Sequence, residues 1–415
     1  MLNRNYIPVR VKNSFMRLLV LTPIYATTTE GSGSTPVVHY FAREWAKMGH
    51  DVTVFFLRPK FPRPYYWFSK LFQHKLNTRL GMLVPIDFPK DEDFTAEGVI
   101  VHKRTLLKIK PHSRYSTNRL DYAIRLISDE CEKNGVPDYF IGHWDNPQLE
   151  ILSILKKMYN RPVCLVLHSN RFSFEKLYGN KAKGMLDQMD VIGFRSKAAQ
   201  ASFELKYGKP KSSFIAYSGV SEAFLKAGEG IIRLFDPPVR NFVFVGSLIA
   251  RKHPKEIVSA LNCAYPDGNY KITFIGDGAE KEQIEKEHAR FGNKGELVFT
   301  GRIPREHIIE YLKNSDVFIM VSHDEVFGLV YLEAMALGVI PVGSKNEGID
   351  GIIVNGQNGF LCTAGNVDEL TSVLRTIKES SKQTLKSISD EARKTAQNYS
   401  DYGVAKKYLD SVLCF

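Results

Sequence analysis

The run His323-Asp324-Glu325-Val326-Phe327-Gly328-Leu329-Val330-Tyr331-Leu332-Glu333-Ala334-Met335-Ala336-Leu337-Gly338 decides how the rest of the chain is read. One apolar strand pattern, Asp316-Val317-Phe318-Ile319-Met320-Val321, precedes it, and another, Val339-Ile340-Pro341-Val342, follows. Between them the pattern predicts a loop opening into a short apolar helix that stops at Gly338. Phe327, Gly328 and Leu329 would then present free backbone N–H groups at a helix N-terminus, where an anion binds readily. Glu333 falls among Leu332, Ala334, Met335 and Leu337, and a carboxylate buried there is costly unless something polar meets it. An anion cradle beside such a carboxylate predicts a phosphate and a sugar in one pocket.

The same alternation of strand and helix extends along the whole chain. Arg17 to Thr22 reads as a buried strand, followed by a Gly/Ser/Thr-rich loop containing Gly31-Ser32-Gly33, a helix from Val37 to Met48 and a strand from Asp51 to Phe56. Strand, loop, helix and strand make a right-handed βαβ unit. The glycine pair lacks the third glycine of a dinucleotide fingerprint, but as a loop at the C-terminal edge of a sheet it lies where ligands gather. Two later strands deliver His143 and His168 at their ends, either as hydrogen-bonded core residues or as functional ones. The pattern loosens between Leu225 and Asn241, and a second series of strands begins at Phe242. Its first strand leads to Gly246 and then to Arg251-Lys252, two adjacent cations placed where a diphosphate could be neutralised. The organisation expected is an N-terminal extension (1–15), a first domain (16–227), a linker (228–241) and a second domain (242–389). A helical segment from Asp390 to Phe415 could pack back on the first domain. The fold class is α/β, two Rossmann-like doubly wound domains facing across a cleft.

A chain of 415 residues holds two domains with full cores, and 44% hydrophobic with 24% charged residues is a globular composition. No apolar run approaches the roughly 18 residues of a spanning helix. Five cysteines (Cys131, Cys164, Cys263, Cys362, Cys414) are odd in number and widely spaced, which gives neither a disulfide framework nor a zinc pattern and suits a reducing cytoplasm. The formal net charge of +11 implies an anionic partner. Two acid-free runs carry much of it. In 58–82, Arg58, Lys60, Arg63, Lys70, Lys75 and Arg79 interleave with Tyr65, Tyr66, Trp67, Phe68 and Phe72. In 102–119 lie Lys103, Arg104, Lys108, Lys110, Arg114 and Arg119. Bases beside interfacial aromatics suit an anionic membrane surface; single-stranded nucleic acid and a merely solvated basic face are the other readings. Asp91-Glu92-Asp93, with its Asp-x-Asp spacing, reads as a solvated loop.

Taken together, these residues resemble those of retaining, nucleotide-sugar-dependent glycosyltransferases of the GT-B fold. The resemblance is to the fourth sequence family, the group 1 glycosyl transferases that include bacterial polysaccharide and lipopolysaccharide enzymes. Its most specific part is Glu325 and Glu333 with Phe327-Gly328-Leu329 between them. Val245-Gly246-Ser247 with Arg251-Lys252, Phe274-Ile275-Gly276-Asp277-Gly278 and Phe299-Thr300-Gly301-Arg302 support it, as do Ser218-Gly219-Val220 and Asn355-Gly356-Gln357-Asn358-Gly359-Phe360. The resemblance implies that Glu333 binds the donor ribose and that Glu325 contacts the donor sugar near the reacting carbon. Arg251 and Lys252 would hold the diphosphate, helped by amides of Phe327, Gly328, Leu329 and Val330 beside Gly246. The backbone of Arg302 and Ile303 would face the nucleobase. His168 would lie near donor sugar and acceptor, with His143 and the loop Gly31, Ser32, Gly33 on the acceptor or phosphate side. Neither a metal nor a further cofactor is expected; the donor is itself a nucleotide diphosphate sugar. The chain departs from the family at Ser247, where many relatives carry Arg, at Ser218-Gly219-Val220-Ser221, where Asn-Gly-Val-Asp is usual, and at Gly31-Ser32-Gly33, where paired glycines are common.

The expected activity is therefore transfer of a hexosyl-type sugar to a glycan or lipid-linked acceptor in cell-surface polysaccharide synthesis. The enzyme would sit in the cytoplasm, on the inner face of the membrane. A sugar phosphorylase or a nucleotide-sugar epimerase keeps the fold with another reaction, and a basic nucleic-acid-binding protein is a more remote alternative, counted against by the lack of any basic recognition helix.

Overall fold

The computed structural model describes residues 15–27, 36–80, 84–110 and 113–414. The first sheet comprises β1 (Arg17–Thr22), β2 (Asp51–Lys60), β3 (Glu92–Ala96), β4 (Val99–Leu107), β5 (Tyr139–His143), β6 (Val163–Leu167), β7 (Val191–Phe194) and β8 (Ser213–Ile215). Its order is β3-β4-β2-β1-β5-β6-β7-β8, parallel throughout except for the antiparallel β3 at one edge. The second sheet comprises β9 (Asn241–Val245), β10 (Lys271–Ile275), β11 (Glu296–Gly301), β12 (Val317–Ile319), β13 (Ile340–Ser344) and β14 (Phe360–Cys362), all parallel, in the order β11-β10-β9-β12-β13-β14.

These orders locate the ligand sites. In a doubly wound sheet the crevice opens at the strand ends where the order reverses. In the first sheet that point lies between β1 and β5, and in the second between β9 and β12. The loops concerned are those after Thr22, His143, Val245 and Ile319. The near-continuous apolar runs of the central strands follow from burial on both faces; β1 reads RLLVLT with all but its first residue buried. The first sheet has a core on each face, and the second is packed as one continuous core that also takes in Val220 and Phe224.

The C-terminal segment, expected as one helix from Asp390, is two. The helix Lys382–Gln397 packs Ala392 and Ala396 into the second core. Ser400 then caps a new helix, Asp401–Leu413, accepting from the Gly403 amide at 3.1 Å. That helix lies on the first sheet against Val37–Lys47. Trp45 Nε1 donates to the Ala405 carbonyl at 2.9 Å, and Tyr408 and Leu409 join the same core as Phe41 and Val54. Arg43 Nη2 reaches Asp401 Oδ2 at 2.9 Å. The chain thus leaves the first domain, builds the second and returns.

At the other edge, Glu92 and Asp93 begin an edge strand instead of lying in a solvated loop, because their carboxylates meet bases on the neighbouring β4. Lys103 Nζ reaches Glu92 at 3.0 Å, and Arg104 binds Asp93 with a 3.0 Å contact, which holds the Asp93 carboxyl down at about 2. The acid-free appearance of 102–119 is therefore a property of sequence and not of space: two of its bases are neutralised from the adjoining strand.

Trp45 is fully buried. Trp45→Ala should lower stability by about 3–5 kcal/mol, read as a shift in the urea midpoint; a loss below about 1 kcal/mol would show that the C-terminal helix is not anchored by this residue.

Candidate active site

The β9 and β12 loops meet at the second switch point. After β9 the chain turns at Gly246 and forms a single 3₁₀ turn, Ala250–Lys252. Gly246 has φ +149°, a backbone conformation that favours glycine, and it leaves room for Lys252 Nζ, which would lie 2.8 Å from a Cβ there, to fold back across the turn. Lys252 Nζ sits 3.2 Å from Met320 Sδ and 3.5 Å from Glu325 Oε2, while Arg251 Nη1 lies 3.3 Å from the same oxygen. Burial opposes ionisation of Glu325, but Lys252 and Arg251 outweigh it and hold the carboxyl below its ordinary range. Burial also lowers the Lys252 ammonium, with Glu325 acting in the opposite sense. Two cations share one carboxylate, so the group keeps a net positive charge, with Lys252 and Glu325 sheltered from water and Arg251 on the exposed side.

The loop carrying Glu325 is held by a residue that the sequence reading missed. Glu347, after β13, accepts the amides of Asp324 at 3.0 Å and Glu325 at 2.8 Å. Gly348 returns its own amide to the Glu325 carbonyl at 2.8 Å. A Cβ on Gly348 would fall 2.5 Å from Phe327 Cα and N, which leaves room for no other residue. Glycine and carboxylate side by side after a buried strand were the available signal. Gly328, with φ +74°, then starts the helix Leu329–Ala336. The amides of Phe327, Gly328, Leu329 and Val330 come before Tyr331, whose N–H donates to the Gly328 carbonyl at 3.0 Å at the helix start.

Glu333 is 3% exposed and bonded by Arg305. Its burial is thus answered within the protein by a guanidinium, a partner the sequence reading did not foresee. Arg305 lies beside Phe224 and Tyr40 and follows Arg302 and Ile303 closely after the end of β11, so the three share one rim of the cleft.

Across the cleft, His143 and His168 come together: His143 Nδ1 and His168 Nε2 are 2.9 Å apart, and Tyr408 Oη is 3.3 Å from His143 Nε2. Trp144 stacks on His168 with centroids 3.9 Å apart. Burial pushes His143 down to about 3 and His168 well below its usual value, and nearby Arg195 adds to both. Both rings are neutral at physiological pH. Arg195, also unforeseen, is 2% exposed, binds the Ala216 carbonyl and Ser218, and lies 5.6 Å from the Phe327 ring. The segment after His168 bridges the domains. Asn170 Nδ2 donates to the Glu325 carbonyl at 3.0 Å, and Arg171 Nε donates to Asp324 at 2.9 Å. Gly31, Ser32 and Gly33 lie outside the described residues. Among the described residues no three His, Cys, Asp or Glu side chains gather as metal ligands.

Part of the sequence, and the fold, have known counterparts. Residues 234–395 match the family described as glycosyl transferases group 1. The chain carries a domain of that family and has the GT-B fold. It is 36% identical over 132 residues to the sulfoquinovosyl transferase SQD2 of Arabidopsis thaliana, and 32% over 115 residues to the N-acetyl-alpha-D-glucosaminyl L-malate synthase of Bacillus anthracis. Those matches span 31% and 28% of this chain but only 25% and 30% of the two relatives. A longer match, 22% identical, covers 83% of the chain and 84% of TuaC of Bacillus subtilis, a glycosyltransferase assigned to teichuronic acid biosynthesis. Among solved structures, sucrose-phosphate synthase of Thermosynechococcus elongatus superposes with a TM-score of 0.67 at 17% identity, covering 95% of this chain and 98% of its own. Anabaena HepE in complex with UDP and glucose does so with a TM-score of 0.64 at 17% identity, covering 96% and 100%.

The depressed histidine has a consequence for stability. The unfolded chain takes up a proton at His143 near 6.5, the folded chain only near 3, so stability is full above about 6.5 and falls as pH drops through that window. Urea midpoints of wild type and His143→Gln, followed from pH 7 to pH 4, should show a shallower acid slope in the variant; equal slopes would refute the assignment.

Proposed function

We propose that the protein transfers a sugar from a nucleotide diphosphate sugar to a glycan or lipid-linked acceptor in cell-surface polysaccharide synthesis, with retention of anomeric configuration. The observation that carries this is the net positive group formed by Arg251, Lys252 and Glu325 close in sequence to the helix start at Gly328. It is built to receive a diphosphate and to stabilise the charge that grows on it as the glycosidic bond breaks. HepE, with the same fold, binds UDP and glucose.

In this reading the diphosphate lies against Arg251, Lys252 and the helix N-terminus. The Arg305–Glu333 pair meets the ribose, and the backbone of Arg302 and Ile303 meets the base. The bond between the anomeric carbon and the phosphate oxygen breaks; the acceptor oxygen bonds to that carbon on the same face, and its proton passes to the departing phosphate oxygen. Glu325, kept ionised by its two cations, lies near the reacting carbon, while neutral His168 offers a hydrogen bond to sugar or acceptor. Positive side chains and amides supply the stabilisation without a metal. Lys252→Ala and Glu333→Ala should each lower transfer at least about 100-fold, measured with radiolabelled donor under a panel of UDP-, GDP- and ADP-sugars. Activity within a few-fold of wild type in either would sink the site assignment, and product analysis with and without acceptor separates transfer from phosphorolysis or epimerisation.

The acceptor would be reached at an anionic membrane face. No helix of the described residues is long and apolar enough to cross a membrane. The helix Arg63–Leu71, however, exposes Trp67, Phe68 and Leu71, with Phe72 after it, beside exposed Arg63 and Lys70. Aromatics and bases on one short amphipathic helix fit an interface of anionic lipid. Neutralising Arg63, Lys70 and Lys75 should abolish sedimentation with phosphatidylglycerol-containing vesicles and leave thermal stability unchanged; undiminished binding would refute the membrane role.

A further inference from the structure

The cleft leaves one cationic feature of the first domain without a task. A cavity of about 750 Å³ opens between the C-terminal end of β4 and the start of the helix Thr117–Asn134. Five of the residues lining it are bases (Lys108, Lys110, Arg114, Arg119 and Arg125), and none is acidic. Among the described residues, Arg114 alone of the five is held by a carboxylate, that of Glu150, with Nε at 3.0 Å. A solvated basic face would spread its lysines outward, but Lys108 is only 8% exposed. Its ammonium sits 4.8 Å from the centre of the Tyr115 ring, and the charge that supports it, Asp145, acts without a hydrogen bond. A cation largely withdrawn from water, with no carboxylate bonded to it among the described residues, is costly unless an anion reaches it.

The helix behind the cavity points the same way. It is 18 residues long; its N-cap Ser116 makes no side-chain cap, and its first turn holds no acid. Ser116, Asn118 and Arg119 all line the cavity, so the positive end of the helix opens into it. A buried lysine and an uncapped helix start converge on a space lined by no carboxylate, the chemistry that an anion would meet best.

Its position ties it to the reaction. β4 runs parallel to β2, and β2 to β1, which is parallel to β5, so the end of β4 shares a sheet edge with the ends of β5 and β6. Asn146 Nδ2 donates to the Ser113 carbonyl at 3.1 Å, and Tyr178 Oη donates to the Asp145 carbonyl at 3.0 Å. The wall of the cavity is therefore fastened to the turn that directly follows His143 and Trp144.

We propose that this cavity is the acceptor's anion subsite and that the acceptor carries a phosphate group, recognised by Lys108, Arg119 and the start of the helix Thr117–Asn134. The inference rests on the glycosyltransferase reading and adds the chemical class of the acceptor. The volume lies within the roughly 300–1,000 Å³ of small-molecule sites and exceeds what a bare phosphate fills, so a phosphorylated sugar fits. The phosphate belongs either to a soluble sugar phosphate or to the head of a lipid. In the second case the chain would leave past Leu107 and Ile109, which are 39% and 77% exposed on the rim.

The test uses the full chain in the Lys252→Ala background, which removes the competing diphosphate contact of the donor cleft. Inorganic pyrophosphate and glucose 1-phosphate are titrated calorimetrically, and vesicles of phosphatidylcholine with or without phosphatidic acid are tested by flotation. Adding Lys108→Gln, or Arg119→Ser at an exposed position where folding is not at risk, should weaken binding of the phosphate probes at least about tenfold, or about 1.4 kcal/mol; Lys108→Arg should restore it. Glucose 1-phosphate binding that depends on these residues identifies a soluble acceptor. Phosphatidic acid binding that depends on them identifies a lipid one. No binding of any probe, or binding indifferent to both substitutions, overturns the proposal. Nucleotide binding by the wild type is measured in parallel: its absence fails the donor-site reading alone and leaves the phosphate result standing.

Discussion

One carboxylate shared by two cations governs the second domain's working edge. Glu325 alone in that position would be expensive, as would Lys252 alone. Together with Arg251 they form a group that is stable yet one positive charge in excess. Each neighbouring feature serves to keep that group assembled. Gly246 admits the lysine, Glu347 fixes the backbone that carries the glutamate, and Gly348 lets the two loops touch. The Glu325 carbonyl is also gripped by Asn170 of the first domain, so the residue that sets the local charge is in direct contact with the opposite wall of the cleft.

Most of the fold was readable because it rests on period and punctuation. Buried parallel strands give unbroken apolar runs such as Leu18 to Leu21, and helices between them give the spacing seen at Val38, Phe41 and Trp45. The switch-point loops could be inferred from the strands that precede them. What stayed hidden was pairing between distant residues. Nothing in Glu92-Asp93 announces Lys103 and Arg104 as partners, because the link is a cross-strand contact. Glu333 was singled out for its burial, but its answer, Arg305, comes from a different loop and gave no periodic signal. Arg195 was equally silent: a strand-end arginine looks like a surface residue until the Ala216 carbonyl and Ser218 are folded against it.

The first domain contributes rigidity and neutrality to its side of the cleft. His168 is fixed from two directions, by the Trp144 face and by His143, and His143 is in turn met by Tyr408 of the returning C-terminal helix. Burial and Arg195 keep both rings uncharged, which matters for the proposed site, where an anionic donor would lie beside them. A protonated histidine there would compete with Arg251 and Lys252 for the diphosphate, whereas a neutral one orients a hydroxyl without pulling the phosphate off its seat. The C-terminal helix therefore supports the histidine pair through Tyr408.

A net charge of +11 says only that an anion is involved; its distribution says how many. Lys103 and Arg104 are cancelled by β3, and Arg43 is occupied by Glu44 and Asp401. Three basic groups bear on the proposed reading: Arg251 with Lys252, which share the single carboxylate of Glu325, the cavity around Lys108, and the face bearing Arg63 and Lys70. They differ in shelter. In each of the first two one cation, Lys252 or Lys108, is withdrawn from water, where a charge is worth more; the third is open and paired with exposed aromatics. Sheltered cations suit discrete phosphates, and an open basic-aromatic face suits an extended anionic surface. That division is what the proposed transfer requires, with one charged substrate taken from solution and the other met at a membrane.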